Sequence, residues 1–176
     1  KIVSEEQLSK VTALKHHYNS LAVFKIPDNN FTVESDEWVV LLDDIQDPGN
    51  MGTIIRTCDW FGIQKIICSD GCVDAYNPKV VQASMASIGS IQIREADLIT
   101  IIKESNLPVY GAVLNGKNYR EQSFEEKGFI LIGNEGHGIH ADLQSAITYP
   151  ITIPKKGKAE SLNAGIATAL ILDKLV

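Results

Sequence analysis

Cysteine is scarce in this 176-residue chain, with only Cys58, Cys68 and Cys72. An odd, sparse set builds no disulfide framework and reads as reduced thiols in an intracellular, cytoplasmic protein. No apolar run approaches the length of a membrane span, so no membrane partner is expected. The opening stretch KIVSEEQLSK is too polar for a secretory signal. Basic excess is missing too. The net charge of -6 weighs mildly against nucleic acid, unless local clustering overrides the sum. Internal repeats and low-complexity segments are absent. What remains is an ordinary globular composition, 44% hydrophobic and 22% charged, in a chain long enough for one sizeable core.

Two common phosphate-binding signatures are also missing. No Walker loop, G-x-x-x-x-G-K-[ST], occurs. A dinucleotide fingerprint needs G-x-G-x-x-G at the first strand-to-helix turn, but DPGNMGTIIRT (47–57) has the wrong glycine spacing. The other glycine cluster, LIGNEGHGI (131–139), lies late in the chain and holds Glu135, which would repel a phosphate. A nicotinamide dehydrogenase is therefore disfavoured. Bare backbone beside a carboxylate suits a flat, hydrogen-bonding ligand that is not anionic, such as an adenosine carrying a sulfonium.

Residues 5–17 have helical character, and LAVFKI (21–26) reads as a strand. The polar stretch 27–37, with Pro and paired Asn, reads as a linker. One helix and one strand bury no core, so residues 1–36 are expected to be the end of another domain plus its linker. From 37 to 176, strands and helices alternate. Strands are expected at 38–44, 65–69, 91–95, 109–114, 129–133 and 151–153, and helices at 49–62, 78–89, 97–105, 140–147 and 161–176. Continuous apolar strands between helices predict an α/β fold with a parallel sheet covered on both faces. Ligands bind such sheets where strands end and helices begin. DPGNMG, GNEGHG and PKKGKAES all fall there, so three distant loops converge on one rim.

Several residues on that rim have both a structural and a chemical reading. Asn50 occupies a helix N-cap position by sequence. Arg56 shares a helix face with Gly52 and leans toward the helix N-terminus, over the bare glycine; the alternative is a solvated arginine. Glu135, Ser161 and Asn163 are each suited to capping a following helix. His137 and His140 have metal-pair spacing, but no third ligand is in view, and no metal is expected. The cysteines read as small hydrophobes. Lys155, Lys156 and Lys158 form the only dense basic run, either a solvated loop or a phosphate-backbone contact that answers part of the charge objection. Lys117 and Arg120 extend it.

Together, DPGNMGTIIRT, LIGNEGHGI and IPKKGKAESLNAGIA resemble, in order and spacing, the three motifs of the SpoU/TrmH branch of the SPOUT RNA methyltransferases. The resemblance covers residues 38–176, and the stretch before the linker is similar to the end of the small RNA-recognition domain that often precedes this catalytic domain. It implies a SPOUT fold with a C-terminal trefoil knot, which general rules of chain topology would never suggest. It implies S-adenosylmethionine bound in the knot, at Gly133, Ile153 and Leu162, with Leu114, Asn134, Gly136 and Pro154 nearby. The implied reaction is methyl transfer to a ribose 2′-hydroxyl of rRNA or tRNA. The implied catalytic set is Asn50, Arg56, Glu135, Ser161 and Asn163, with Arg56, Lys155, Lys156 and Lys158 on the RNA. A guanidinium is effectively never deprotonated in proteins, so Arg56 is expected to position and to stabilise charge rather than act as a base. A homodimer is implied too, and AGIATALILDKLV is apolar almost all round, as a helix wedged against a partner would be.

The chain departs from the family pattern in places. Lys155 stands where Met is usual, Ala164 and Gly165 follow SLN where Val and a small residue are usual, and Ala86-Ser87 replaces Gly-Ala. A protein that kept the fold but only binds RNA is the alternative, and the intact Arg56, Glu135, Ser161 and Asn163 favour the enzyme.

Overall fold

A computed structural model describes residues 1–12 and 19–176. Helix α1 runs Glu5–Ser9 and opens on a capping box. The Ser4 hydroxyl accepts from the Gln7 amide at 3.2 Å, and the Gln7 side chain accepts from the Ser4 amide at 3.0 Å. The rest of the helix expected to residue 17 lies largely outside the described residues. Residues 21–26 form no strand; they are exposed, with Val23 and Phe24 uncovered. Their β-branched and aromatic composition matches a strand, but no strand among the described residues pairs with them, and strand propensity without a ladder builds no sheet.

Six strands come next: β1 Trp38–Asp43, β2 Lys65–Cys68, β3 Gln92–Glu95, β4 Val109–Asn118, β5 Gly128–Gly133 and β6 Tyr149–Thr152. All pairings are parallel, in the order β3-β2-β1-β5-β4-β6. Five helices connect and cover them: α2 Pro48–Trp60, α3 Pro78–Ser84, α4 Leu98–Ser105, α5 Ala141–Gln144 and α6 Ala164–Leu175. The expected α/β parallel sheet is borne out, with several boundary changes. The helix expected over 78–89 ends at Ser84, where Met85 turns to φ 57°, and that over 140–147 shortens to Ala141–Gln144. β4 runs four residues further than its apolar stretch. The helix expected over 161–176 starts at Ala164, leaving Ser161 and Leu162 in the loop.

Alternation along each strand sorts side chains to two cores. Val40, Leu42, Ile66, Ile130 and Ile132 point to one face, where Met51, Ile54, Ile55 and Cys58 of α2 and Ile171 and Leu172 of α6 pack on them. Val39, Leu41, Ile67, Phe129 and Leu131 point to the other, under Leu98 and Ile102 of α4 and Leu143 of α5. Each such burial is worth about 1.5–3 kcal/mol. The stretch 27–37 is not a free tether. Phe31 and Val33 pack on the second core, and Lys65 holds it by an ion pair to Glu37 at 2.7 Å and a hydrogen bond to the Thr32 carbonyl at 2.9 Å.

β4 makes an excursion beside β6. Ala112 and Lys117 both register with Ile151, so residues 113–116 swing out of the ladder and return. The Thr152 hydroxyl donates to the Leu114 carbonyl at 3.1 Å across the gap. This puts Leu114 and Asn115 at the carboxyl rim of the sheet.

Candidate active site

The rim is built by the loops that leave β1, β5, β4 and β6, four strands lying side by side. After β1 the chain turns at Asp44, whose φ of 57° is unusual for a residue with a side chain. Asp47 then caps α2, its carboxylate accepting from the Asn50 amide at 2.8 Å. The cap expected at Asn50 therefore belongs to Asp47. Asn50 sits in the first turn, and its side chain is left free for other partners. It uses both ends. Its Nδ2 donates to Glu135 Oε1, and its Oδ1 accepts from Asn163 Nδ2 at 2.6 Å. Asn163 does cap α6, accepting from the Ile166 amide at 3.2 Å. One hydrogen-bonded chain thus joins the three motif loops.

Glu135 caps no helix. It rides on a turn closed by reciprocal backbone hydrogen bonds between Asn134 and Gly138, at 3.1 and 2.9 Å, with Gly138 at φ 75°. The turn folds so tightly that a Cβ on Gly133 would meet the Gly138 carbonyl carbon at 2.5 Å. Bare backbone at Gly133 is therefore required by the turn itself. Asn134 secures the arrangement, donating from Nδ2 to the Asp44 carbonyl at 2.8 Å and accepting from the Gly136 amide at 2.8 Å.

Beneath the turn lies a cleft of about 950 Å³. All seven positions expected at the cofactor, Leu114, Gly133, Asn134, Gly136, Ile153, Pro154 and Leu162, line it, and so do Glu135, Ser161 and Lys155. Its size falls at the upper end of the range for small-molecule sites, about 300–1,000 Å³. Leu114 is 78% exposed and Leu162 43%, so apolar surface stands uncovered at its walls. Uncovered leucines beside the glycine-rich turn suit a flat, partly apolar group such as an adenosyl.

Arg56 is the exception to this convergence. It is exposed and, among the described residues, has no hydrogen-bond or ion-pair partner. Gly52 is not bare for its sake: a Cβ there would lie 2.4 Å from the Ala83 Cβ, so the glycine exists to let α3 pack on α2. Ser161 is exposed in the loop before α6. Lys155, Lys156 and Lys158 are exposed on the same loop, and Lys117 is exposed nearby, whereas Arg120 lies over the Tyr119 ring and donates to its hydroxyl at 3.2 Å.

Two aspartate–histidine pairs escaped the sequence reading. His137 Nε2 lies 2.7 Å from Asp44 Oδ2. His140 Nδ1 lies 2.9 and 3.1 Å from the two carboxylate oxygens of buried Asp43, which raises the imidazole above its usual value, and the Asp43 carboxylate also accepts from the His140 amide at 2.7 Å. The only signal was the adjacent carboxylates of DDIQDPGN, whose partners lie more than ninety positions on.

Behind the turn, α6 packs on α2, and beside them runs a shallow apolar groove lined by Phe61, Ile166, Ala169 and Leu170. Ile166 is half exposed, and Trp60 stands uncovered on α2.

Known proteins resemble this chain in sequence and in fold. The RlmP 23S rRNA (guanosine(2553)-2′-O)-methyltransferase of Bacillus subtilis is 33% identical over 175 residues, covering 97% of this chain and 70% of that protein. The solved AdoMet-bound rRNA methyltransferase of Sinorhizobium meliloti superposes with a TM-score of 0.76 at 32% identity, covering 84% of this chain and 58% of that one. The AviRb SpoU methyltransferase of Streptomyces viridochromogenes, solved with AdoMet, gives 0.77 at 28% identity, covering 86% and 65%. The chain spans less than two thirds of either solved relative. A family profile matches residues 37–173, taking in every strand and all three rim loops, and by that match the chain belongs to the SpoU rRNA methylase family.

Proposed function

We propose that this protein is an S-adenosylmethionine-dependent methyltransferase acting on a ribose 2′-hydroxyl of rRNA or tRNA. The observation that carries the reading is the hydrogen-bonded chain Glu135–Asn50–Asn163, which ties the three family motifs together at a cleft of about 950 Å³. RNA 2′-O-methylation is the activity of the Bacillus subtilis relative, and AdoMet is bound in the Sinorhizobium meliloti structure.

When bound, S-adenosylmethionine supplies a methyl group on a sulfonium, already a good leaving group. The protein's task is to align the attacking hydroxyl and ease the loss of its proton. Gly133, Asn134, Gly136, Ile153, Pro154, Leu114 and Leu162 hold the cofactor, largely through backbone and apolar contact. Asn50, Glu135 and Asn163 fix the rim loops relative to one another, and Ser161 lies within reach of the cleft. Arg56 projects to solvent, where it positions the target phosphate or ribose and stabilises the developing alkoxide. The proton leaves through that phosphate or a water. Lys155, Lys156 and Lys158 lie against the RNA backbone.

The same reading assigns residues 1–36 to the end of an RNA-recognition domain with its linker, and 37–176 to the catalytic domain. It makes the working unit a cytoplasmic homodimer, with the apolar groove between α2 and α6 covered by a second copy. It includes the C-terminal trefoil knot: α6 lies against the Tyr119–Glu121 turn after β4, as a tail tucked through that loop would.

Calorimetric titration with S-adenosylmethionine, beside an Arg56→Ala variant, tests the reading. Micromolar binding by both is expected, with methyl transfer to RNA reduced about 10²–10³-fold in the variant. An exposed side chain without partners costs the variant under about 0.5 kcal/mol of stability. A folded chain that never binds the cofactor, with or without RNA, overturns the enzyme in favour of a protein that only binds RNA.

A further inference from the structure

His137 and His140 are spaced like a metal pair, and the fold brings them a third donor from a distant loop. Asp44 arrives from the end of β1, and the donor atoms of Asp44, His137 and His140 all lie within 4.8 Å of one another. Ligands around one tetrahedral ion stand about 3.4 Å apart, given metal–donor bonds of about 2.1 Å. The His137 imidazole is half exposed, so a small rotation widens its 2.7 Å contact with Asp44 toward that spacing.

The surroundings are those of a prepared site. Buried Asp43 grips His140 Nδ1 with both carboxylate oxygens, fixing the ring and leaving Nε2 as the open donor. A carboxylate behind a histidine is the usual outer support of a metal-bound imidazole. Asp44 is nearly buried and held on every side. Its amide donates to the Ser69 hydroxyl at 3.0 Å, its carbonyl accepts from Asn134, and its Oδ1 accepts from Gln46 Nε2 at 3.0 Å. Only Oδ2 faces the histidines, at 2.7 Å from His137 Nε2.

We propose that Asp44, His137 and His140 bind one divalent transition-metal ion. Two imidazoles and one carboxylate suit zinc, with water completing the shell. The ion clips the Glu135 turn to the loop after β1. Nothing in this proposal depends on methyl transfer, and its test uses neither RNA nor methyl donor.

The full chain, stripped with a chelator, is titrated with Zn²⁺ by calorimetry, and thermal melts are recorded with and without the ion. One ion per chain and a rise in Tm are expected. His137→Gln and His140→Asn should each weaken binding at least tenfold. Asp43→Asn, which touches no ion, should weaken it about 10–100-fold by releasing the His140 ring. Replacing the chain's two other histidines, His16 and His17, should change nothing. Cobalt substitution should give the visible bands of a nitrogen and oxygen site. Absence of saturable binding by the folded chain overturns the proposal. So does unchanged affinity in the His137→Gln/His140→Asn double variant, or a sulfur-to-cobalt charge-transfer band, which would move the ion to a cysteine.

Discussion

The Asn163 side-chain amide donates to the Asn50 side-chain carbonyl at 2.6 Å, across 113 positions of sequence. Neither residue is close to the other in any element, and neither is needed by the core. Their meeting is what makes one site of three loops.

Asn163→Ala removes this bond and the α6 cap together. It should cost about 1 kcal/mol in chemical denaturation. Asn50→Asp keeps the size of the side chain but sets a second carboxylate against Glu135. Methyl transfer should fall at least tenfold in both, and further in N50D than a capping loss explains. Equal rates in N50D and the parent would remove the chain Glu135–Asn50–Asn163 from the mechanism.

Gly133→Ala should be the most damaging single methyl added to the rim. Its Cβ has no room against the Gly138 backbone, which cannot rotate away as a side chain would. A loss of about 1–3 kcal/mol is expected, with much weaker cofactor binding as the turn opens. Gly157→Ala, with nothing within 4 Å of the added atom, is the control and should melt like the parent.

The loop lysines are read out by salt. Each phosphate contact contributes about −0.7 to the slope of log K against log salt on single-stranded RNA. Replacing Lys155, Lys156 and Lys158 with Ala should flatten the slope by about 2. An unchanged slope would return all three to solvent.

Cys72 should be the reactive thiol. The Cys68 side chain beside it, then the Ile45 amide and the Ser69 hydroxyl, hold its pKa down to about 7 against its own burial. Burial drives Cys58 far up, and Cys68 is raised by its bond to Cys72 and by burial. Thiolate therefore accumulates at Cys72 as pH rises through about 7. Iodoacetamide labelling followed by mass spectrometry should show a midpoint there, not near the ordinary thiol value of about 8.5. Its Sγ donates to the Leu42 carbonyl and accepts from the Ile45 amide, each at 3.3 Å, so labelling should also lower Tm by loosening the loop after β1. Labelling of Cys58 in the native protein at the same rate would contradict this.

Apolar runs and their spacing were enough to predict the sheet, because a strand buried on both faces has few residue types to choose from. Positions where two elements touch were harder to read. Gly52 reads as space for Arg56, yet it serves the contact of α2 with α3, which no local pattern announces. Asn50 reads as a cap because Asp47, three positions earlier, competes for the same role, and only the helix start decides between them. LAVFKI reads as a strand because propensity is local, whereas pairing is not. The role of Asp44 as a partner of two histidines was invisible, since it depends on β1 and β5 lying side by side.

That adjacency also sets a clock. Positions 50, 135 and 163 must all be present before the rim chain closes in full. At ribosomal speed roughly ten seconds separate the first of these from the last. Until β5 emerges, β1 has no partner on that edge, and its backbone hydrogen-bonding groups there wait unpaired. A copy cut short before α6 would carry all six strands of the sheet and none of the completed site.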